Sequence, residues 1–242
     1  FIASLARHAN FHVLRRQNML EIQAGLLTKR TYRIQTEKIG YLDIRRSLIT
    51  CILGVYSIFL STVGYGKFKD DVSALIPCVR KKKLQHSLHL LLPEYHVSPR
   101  TICPHRLRSA FRYTWRSVLI AVQVAREILC ILFPGWIDLI AWVGFMATCP
   151  LIWLLIVKLL DLNTAGISCE QDCYTLRYSK GFSLHQVIIR PQRIAKIKIV
   201  QSILQKRTGR CDVYVFSYSE GRQLHHVRDL NREQAEKLFG IE

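Results

Sequence analysis

The residues whose types and spacing could do chemistry form small, separate groups. Gly64, Tyr65, Gly66 and Lys67 suggest a phosphate-binding loop. They lack the spacing and the following Ser/Thr of a P-loop, so a hairpin turn is the better reading. Cys169 and Cys173 have a spacing compatible with zinc, but no second pair accompanies them, and they read as buried or idle thiols. His86 and His89 lie three apart on a predicted helix and could turn one face to a metal. With no acid or thiol nearby in sequence, they read instead as exposed or packed side chains. His225 and His226 fall in a predicted strand, where adjacent rings point to opposite faces and cannot chelate together. No catalytic constellation stands out, so the chain reads as non-enzymatic, with no cofactor and no metal site.

Two charged groups have a better functional case. Arg108, Arg112 and Arg116 recur every four positions behind Arg106, so on a helix entering a membrane they form one basic stripe. Each could contribute about 1 kcal/mol of attraction to anionic headgroups, or the stripe could simply set topology. Arg126 and Glu127 interrupt an apolar run. Adjacent residues on a helix project about 100° apart, so the two are not expected to face each other. Each then needs an intramembrane polar contact on an upstream hairpin or another subunit, or must snorkel to an interface. Asp138 is expected at the interface.

The elements that position these groups are set by hydrophobicity. Leu139 to Val157 is a run of 19 residues without a charge. At about 1.5 Å per residue it spans roughly 28 Å, close to the hydrocarbon thickness of a bilayer. Trp136 and Lys158 flank it as interfacial residues, and Pro150 predicts a kink. Ser117 to Phe133 is long enough to cross as well, despite Arg126 and Glu127, and Phe133 to Trp136 supplies a tight turn between the two spans. Such a hairpin places both flanks on one side of the membrane. Between Arg80 and Arg116 nine Lys/Arg stand against one acid, Glu94, whereas the turn has none. The positive-inside rule makes the flanks cytoplasmic.

The composition agrees. The 242 residues are half hydrophobic, with 35 Lys+Arg, 17 Asp+Glu and a formal net charge of +18. Such hydrophobicity excludes a disordered basic tail, and the charge leaves nucleic acid or an anionic membrane as partner. No stacking or base-reading motif is found, which disfavours nucleic acid. The eight cysteines are scattered through a chain that does not need disulfide stapling and read as reduced. Phe1 to Ala6 is a short apolar stub rather than a signal peptide, and is expected to end a membrane helix lying upstream in a longer protein.

The two flanks are self-similar at an offset of 155 residues. Ile34, Ile39, Ser47, Gly54 and Gly66 meet Ile189, Ile194, Ser202, Gly209 and Gly221. Each copy reads as β. In the second, the predicted strands are Thr175 to Ser179, Phe182 to Arg190, Ile194 to Val200, Cys211 to Ser217 and Gln223 to Arg228. A capping-box-like start at Asn231 to Gln234 opens a short helix stopped by Gly240. In the first copy, a strand from Val72 to Val79 leads into a helix from Arg80 to Leu92 ended by Pro93.

The string from Leu20 to Arg30, with Ile39, Ser47 to Ile49 and Gly54, resembles the bacterial pleckstrin-homology-like (PH-like) domain of YdbS/YdbT-type membrane proteins. The second copy matches more closely, through Arg193-Ile194, Gln201 to Arg207, Gly209 and Leu230 to Leu238. Leu92 to Glu94, Pro99-Arg100 and Arg108 to Tyr113 look like the family's domain-to-membrane linker. Two departures stand out. Thr36-Glu37 replaces the family's proline before Ile39, where the second copy keeps Pro191, and Thr50 to Ile52 has lost most of its polar residues.

The resemblance implies an α+β membrane protein corresponding to the C-terminal portion of a YdbT-like chain. It would have two PH-like antiparallel barrel or sheet domains, each closed by a C-terminal helix and separated by a transmembrane helical hairpin. The expected boundaries are 1–16 (end of an upstream membrane helix or linker), 17–95 (first PH-like domain) and 96–116 (basic linker). They continue with 117–133 and 136–160 (transmembrane helices) and 161–242 (second PH-like domain). The resemblance also implies a non-enzymatic, multi-pass protein of the bacterial cell membrane whose cytoplasmic modules act as interaction scaffolds, in envelope stress or bacteriocin resistance. Expected partners are anionic lipid headgroups and a related PH-like membrane protein or a second copy. The alternative is a component of a transport, efflux or immunity complex that uses the polar residues of the hairpin.

Overall fold

A computed structural model of the chain describes residues 12–24, 30–63, 74–105, 109–110, 113–114, 119–170, 172–219 and 223–240. In the first half, β1 (His12–Arg16), β2 (Met19–Ala24) and β3 (Arg30–Gln35) form an antiparallel sheet. β4 (Ile39–Ser47), α1 (Leu48–Ile52), β5 (Val55–Thr62), β6 (Ala74–Arg80) and α2 (Lys81–Leu91) follow. Two apolar helices, α3 (Leu119–Leu132) and α4 (Ile137–Thr164), are joined by a 3-10 turn at Pro134–Trp136. The second half contains β7 (Gly166–Glu170), β8 (Cys173–Lys180), β9 (Ser183–Ile189) and β10 (Ile194–Val200). It ends with α5 (Ile203–Lys206), β11 (Arg210–Ser217), β12 (Gln223–Asn231) and α6 (Arg232–Phe239).

The residues matched at an offset of 155 do the same local work in each half. Ser47 and Ser202 each open a short helix with a capping box, in which the serine and the third helical residue satisfy each other's backbone N–H. Gly54 (φ 65°) and Gly209 (φ 63°) then adopt the left-handed conformation that lets the chain turn into β5 and β11. A 3-10 turn precedes β4 at Thr36–Lys38 and β10 at Pro191–Arg193. The departure at Thr36 has a local reason. Its backbone N–H donates to the Asn18 carbonyl at 2.9 Å, a bond that proline cannot make.

Where the sequence reading sets two modules apart, the structure joins the strand sets. β4 pairs with β9 from Tyr41↔Ile189 to Ser47↔Ser183, making one six-stranded antiparallel sheet in the order β6-β5-β4-β9-β8-β7. Strand alternation sends successive side chains to opposite faces. Leu42 and Ile44 pack with Leu20, Ile22, Ile58 and Ile188 in one core. Tyr41 joins Leu176, Val187, Val213, Val215 and Val227 in the other. The β1-β2-β3 sheet therefore covers one face and the β10-β11-β12 sheet the other. This is why β4 is buried without interruption from Ile39 to Ile44 and why Val187, Ile188 and Ile189 are all fully buried.

The segment after α2 runs along this joint. Glu94 binds Arg15 at 2.8 Å and Arg190 at 2.9 Å, tying β1 to the end of β9. Ile102 and Ile167 exchange backbone hydrogen bonds of 3.0 Å. The C-terminal end of α4 is locked to β8. The Lys158 ammonium donates to Ser179 Oγ at 2.6 Å, and that hydroxyl donates to Asp161 at 2.6 Å. Leu48 of α1 and Leu184 of β9 pack on Val157 of the same helix.

Candidate functional site

The surface most unlike that of a soluble protein is made by α3 and α4. α3 runs back along α4, with Gln123 donating to Thr148 at 2.9 Å and the Arg126 stem lying over Gly144. Most of their large apolar side chains are exposed. Trp142 is 63% exposed and Phe145 60%, and Ile120, Ile131, Trp136 and Ile152 are also uncovered. Burial on α4 is confined to its C-terminal end, at Val157, Lys158, Asp161 and Leu162. From Pro134 to Thr164 the chain is long and apolar enough to cross a bilayer. The 14 described residues of α3 fall short of that length. α4 runs continuously through Pro150. α1 extends the apolar surface at the protein end of α4, because Ile49, Ile52 (86% exposed) and Leu53 are uncovered beside the Leu48–Val157 contact.

Arg126 and Glu127 correct the sequence expectation that they do not face each other and each need another partner. The Arg126 guanidinium donates to Glu127, forming an ion pair between neighbours. The 100° separation concerns Cα–Cβ directions, and a long flexible arginine closes that angle. Arg106, Arg108, Arg112 and Arg116 lie outside the described residues, as do the Gly64 to Lys67 turn and the Phe1 to Ala6 stub. Asp138 sits in the exposed first turn of α4.

The sequence-level chemical candidates separate in space. No group of three or more His, Cys, Asp or Glu suited to a metal occurs among the described residues. His86 and His89 are both exposed on α2. Cys169 and Cys173 stand on paired strands, one exposed and the other buried. The Cys173 thiol donates to the Glu94 carbonyl at 3.3 Å, and burial raises its pKa, keeping it protonated at neutral pH.

His225 and His226 do point to opposite faces. His226 stacks on Tyr214, whereas His225 is buried between Tyr178 Oη (2.8 Å) and Ser217 Oγ (2.9 Å). Burial pushes His225 down to about 4, so the ring is neutral, and Ser217 is only 1% exposed. This hydroxyl–imidazole pair is packing within the core.

Three features escaped sequence reasoning because they join residues distant in the sequence. Asp43 of β4 binds His185 of β9 at 3.0 Å and Arg45 at 2.6 Å. Burial opposes ionisation of Asp43, but the His185 hydrogen bond and charge, with Arg45, hold its pKa below the usual value. Asp229, with a left-handed φ of 56°, binds Arg210 at 2.8 Å and accepts from Ser109. A pocket of about 290 Å³ opens along the β4–β9 seam beside Thr164, lined by Arg46, Arg100 and Arg177.

The family model described as "Bacterial PH domain" matches residues 1–93, so its match falls on the first half, whereas the sequence motifs read more strongly in the second. The chain is 28% identical over 237 residues, 95% of its length, to the UPF0699 transmembrane protein YdbT of Bacillus subtilis (strain 168). It spans 45% of that relative. No solved structure matches the chain. The first 93 residues thus resemble the bacterial PH domain, and nearly the whole chain is similar to part of a YdbT-type transmembrane protein.

Proposed function

We propose that the chain is a non-enzymatic, multi-pass membrane protein in which α3 and α4 cross the bilayer as a hairpin. Its duplicated PH-like strand sets then form one cytoplasmic interaction platform. The observation that carries this reading is the uncovered apolar surface of α3 and α4, which contrasts with the dense burial of both β cores. A soluble protein rarely leaves so large an apolar surface unpartnered. The exposed apolar tip of α1 continues it, so the sheet assembly would rest against the headgroup layer with Ile49, Ile52 and Leu53 in the interface. The self-contained pairing of Arg126 with Glu127 lends no support to the alternative of a polar transport pathway.

The platform reading places a protein partner, either a related PH-like membrane protein or a second copy, on the strand assembly. Envelope stress or bacteriocin self-protection is the proposed setting. Fractionation tests the membrane step. The chain should stay with membranes through a high-salt and carbonate wash and leave them only in detergent. Release by salt alone would contradict it.

A further inference from the structure

The seam between the two halves creates a pocket that neither half has alone. Arg177 of β8, Gln186 of β9 and Ile44 of β4 are abreast in three adjacent strands, and Arg46 follows two residues along the same face. Arg100 and the end of α4 at Thr164 complete the wall. The volume of about 290 Å³ lies at the small end of ligand sites.

Each guanidinium is held at one edge by a neutral oxygen. Arg46 donates to Tyr56 Oη at 3.2 Å and lies 4.8 Å over its ring. Arg100 donates to the Asn163 carbonyl and Arg177 to that of Ser98. Among the described residues, none of the three forms an ion pair with an acid. The nearby carboxylate, Asp43, is engaged by His185 and Arg45. Two donors are buried without partners, Nη1 of Arg177 and Nε2 of Gln186. Burial, followed by the positive charges of Arg100 and Arg46, pushes Arg177 down to about 10.

A buried donor without an acceptor is costly, and so are like charges gathered around one cavity. An oxyanion relieves both at once. Arginine forks match tetrahedral phosphate oxygens in paired hydrogen bonds, and the site repels a metal cation.

We propose that this pocket binds a phosphate-type oxyanion, presented by a phospholipid headgroup or by a soluble phosphate. Thr164 lies seven residues beyond Val157, about 10 Å along the helix axis, which puts the pocket just outside a headgroup layer roughly 5–8 Å deep. Soluble phosphate has direct access there, and a lipid source requires a headgroup that extends from the layer to the seam. The lipid source rests on the membrane reading above, whereas the phosphate source does not.

The test uses the full chain in nanodiscs of phosphatidylcholine, with thermal unfolding followed while inorganic phosphate is titrated at constant ionic strength. Saturable stabilisation is expected, weakened roughly tenfold or more when Arg46→Gln and Arg100→Gln are combined. Arg100→Gln alone, at an exposed position, covers the case in which the double variant folds poorly, and it should still weaken the response. Discs containing phosphatidylglycerol distinguish the sources. A headgroup occupant should stabilise the wild-type chain without phosphate and blunt the phosphate response, whereas a soluble occupant leaves that response unchanged. No response to either anion, or one that survives the replacements, overturns the proposal. If the chain instead proves soluble without lipid, the membrane reading fails while the phosphate titration can still be run in buffer.

Discussion

Asp43 and His185 lie 142 positions apart and hydrogen bond at 3.0 Å across the seam where β4 of the first half pairs with β9 of the second. Both side chains are nearly buried, and Arg45 closes on the same carboxylate. The contact makes the joint between the halves electrostatically specific as well as apolar.

Replacing Asp43 with Ala should therefore destabilise the whole assembly by about 2–3 kcal/mol, because it leaves His185 without its buried partner. The carboxylate has a lowered folded pKa. Its contribution is present above the ordinary carboxylate pKa of about 4 and lost as pH falls through the lower folded value. Thermal unfolding in detergent should show the wild type approaching the variant at acid pH and separating from it at neutral pH.

The Lys158–Ser179–Asp161 chain fixes α4 to β8. Lys158→Met should cost about 1–3 kcal/mol, since it takes the ammonium away from the Ser179 hydroxyl that holds the buried Asp161, and adding Asp161→Leu should recover part of the loss. A double-mutant cycle on unfolding midpoints checks this. Simple addition of the two single losses would argue against coupling.

His225 predicts the opposite partner for acid sensitivity, a ring that folding keeps neutral. Its folded pKa is about 4, against about 6.5 when unfolded. The unfolded chain binds the proton first, so stability is full above pH 6.5 and falls as pH drops towards 4, by roughly 3 kcal/mol in all. His225→Gln should flatten the stability profile between those values, measured by denaturant unfolding at a series of pH values.

Gly166 joins α4 to β7 with φ at 157°, and a Cβ there would lie 2.5 Å from the Ile102 carbonyl oxygen. Gly166→Ala should cost about 1–3 kcal/mol by overpacking and separate the Ile102–Ile167 backbone bonds. Faster hydrogen exchange at those two amides would report the opening.

Much of the local structure was legible. Hydrophobic run length marks α4, period-two alternation marks β10 and β11, and Ser47, Gly54, Ser202 and Gly209 announce the caps and turns around the short helices. The pairing of β4 with β9 was not, because Asp43 and His185, or Leu42 and Ile188, meet only after more than a hundred intervening residues have folded back. The unbroken apolar run at Val187 to Ile189 was the available sign of a strand covered on both faces. The oxyanion pocket was hidden for the same reason. Arg46, Arg100 and Arg177 belong to separate segments, and only the seam brings them together.

In the proposed topology both strand sets lie on one side of a membrane and the turn between α3 and α4 lies on the other. Cys78 in β6 and Cys169 in β7 are exposed reporters, one from each half. Gly135 in the turn has open space for a side chain. The measurement is labelling with a membrane-impermeant thiol reagent in intact and permeabilised cells, using chains that keep one reporter and carry serine at the other exposed cysteines. Cys78 and Cys169 should react only after permeabilisation, and the Gly135→Cys chain should react in intact cells. Labelling of Cys78 and Cys169 from opposite sides, or of all three positions from the same side, would contradict this topology.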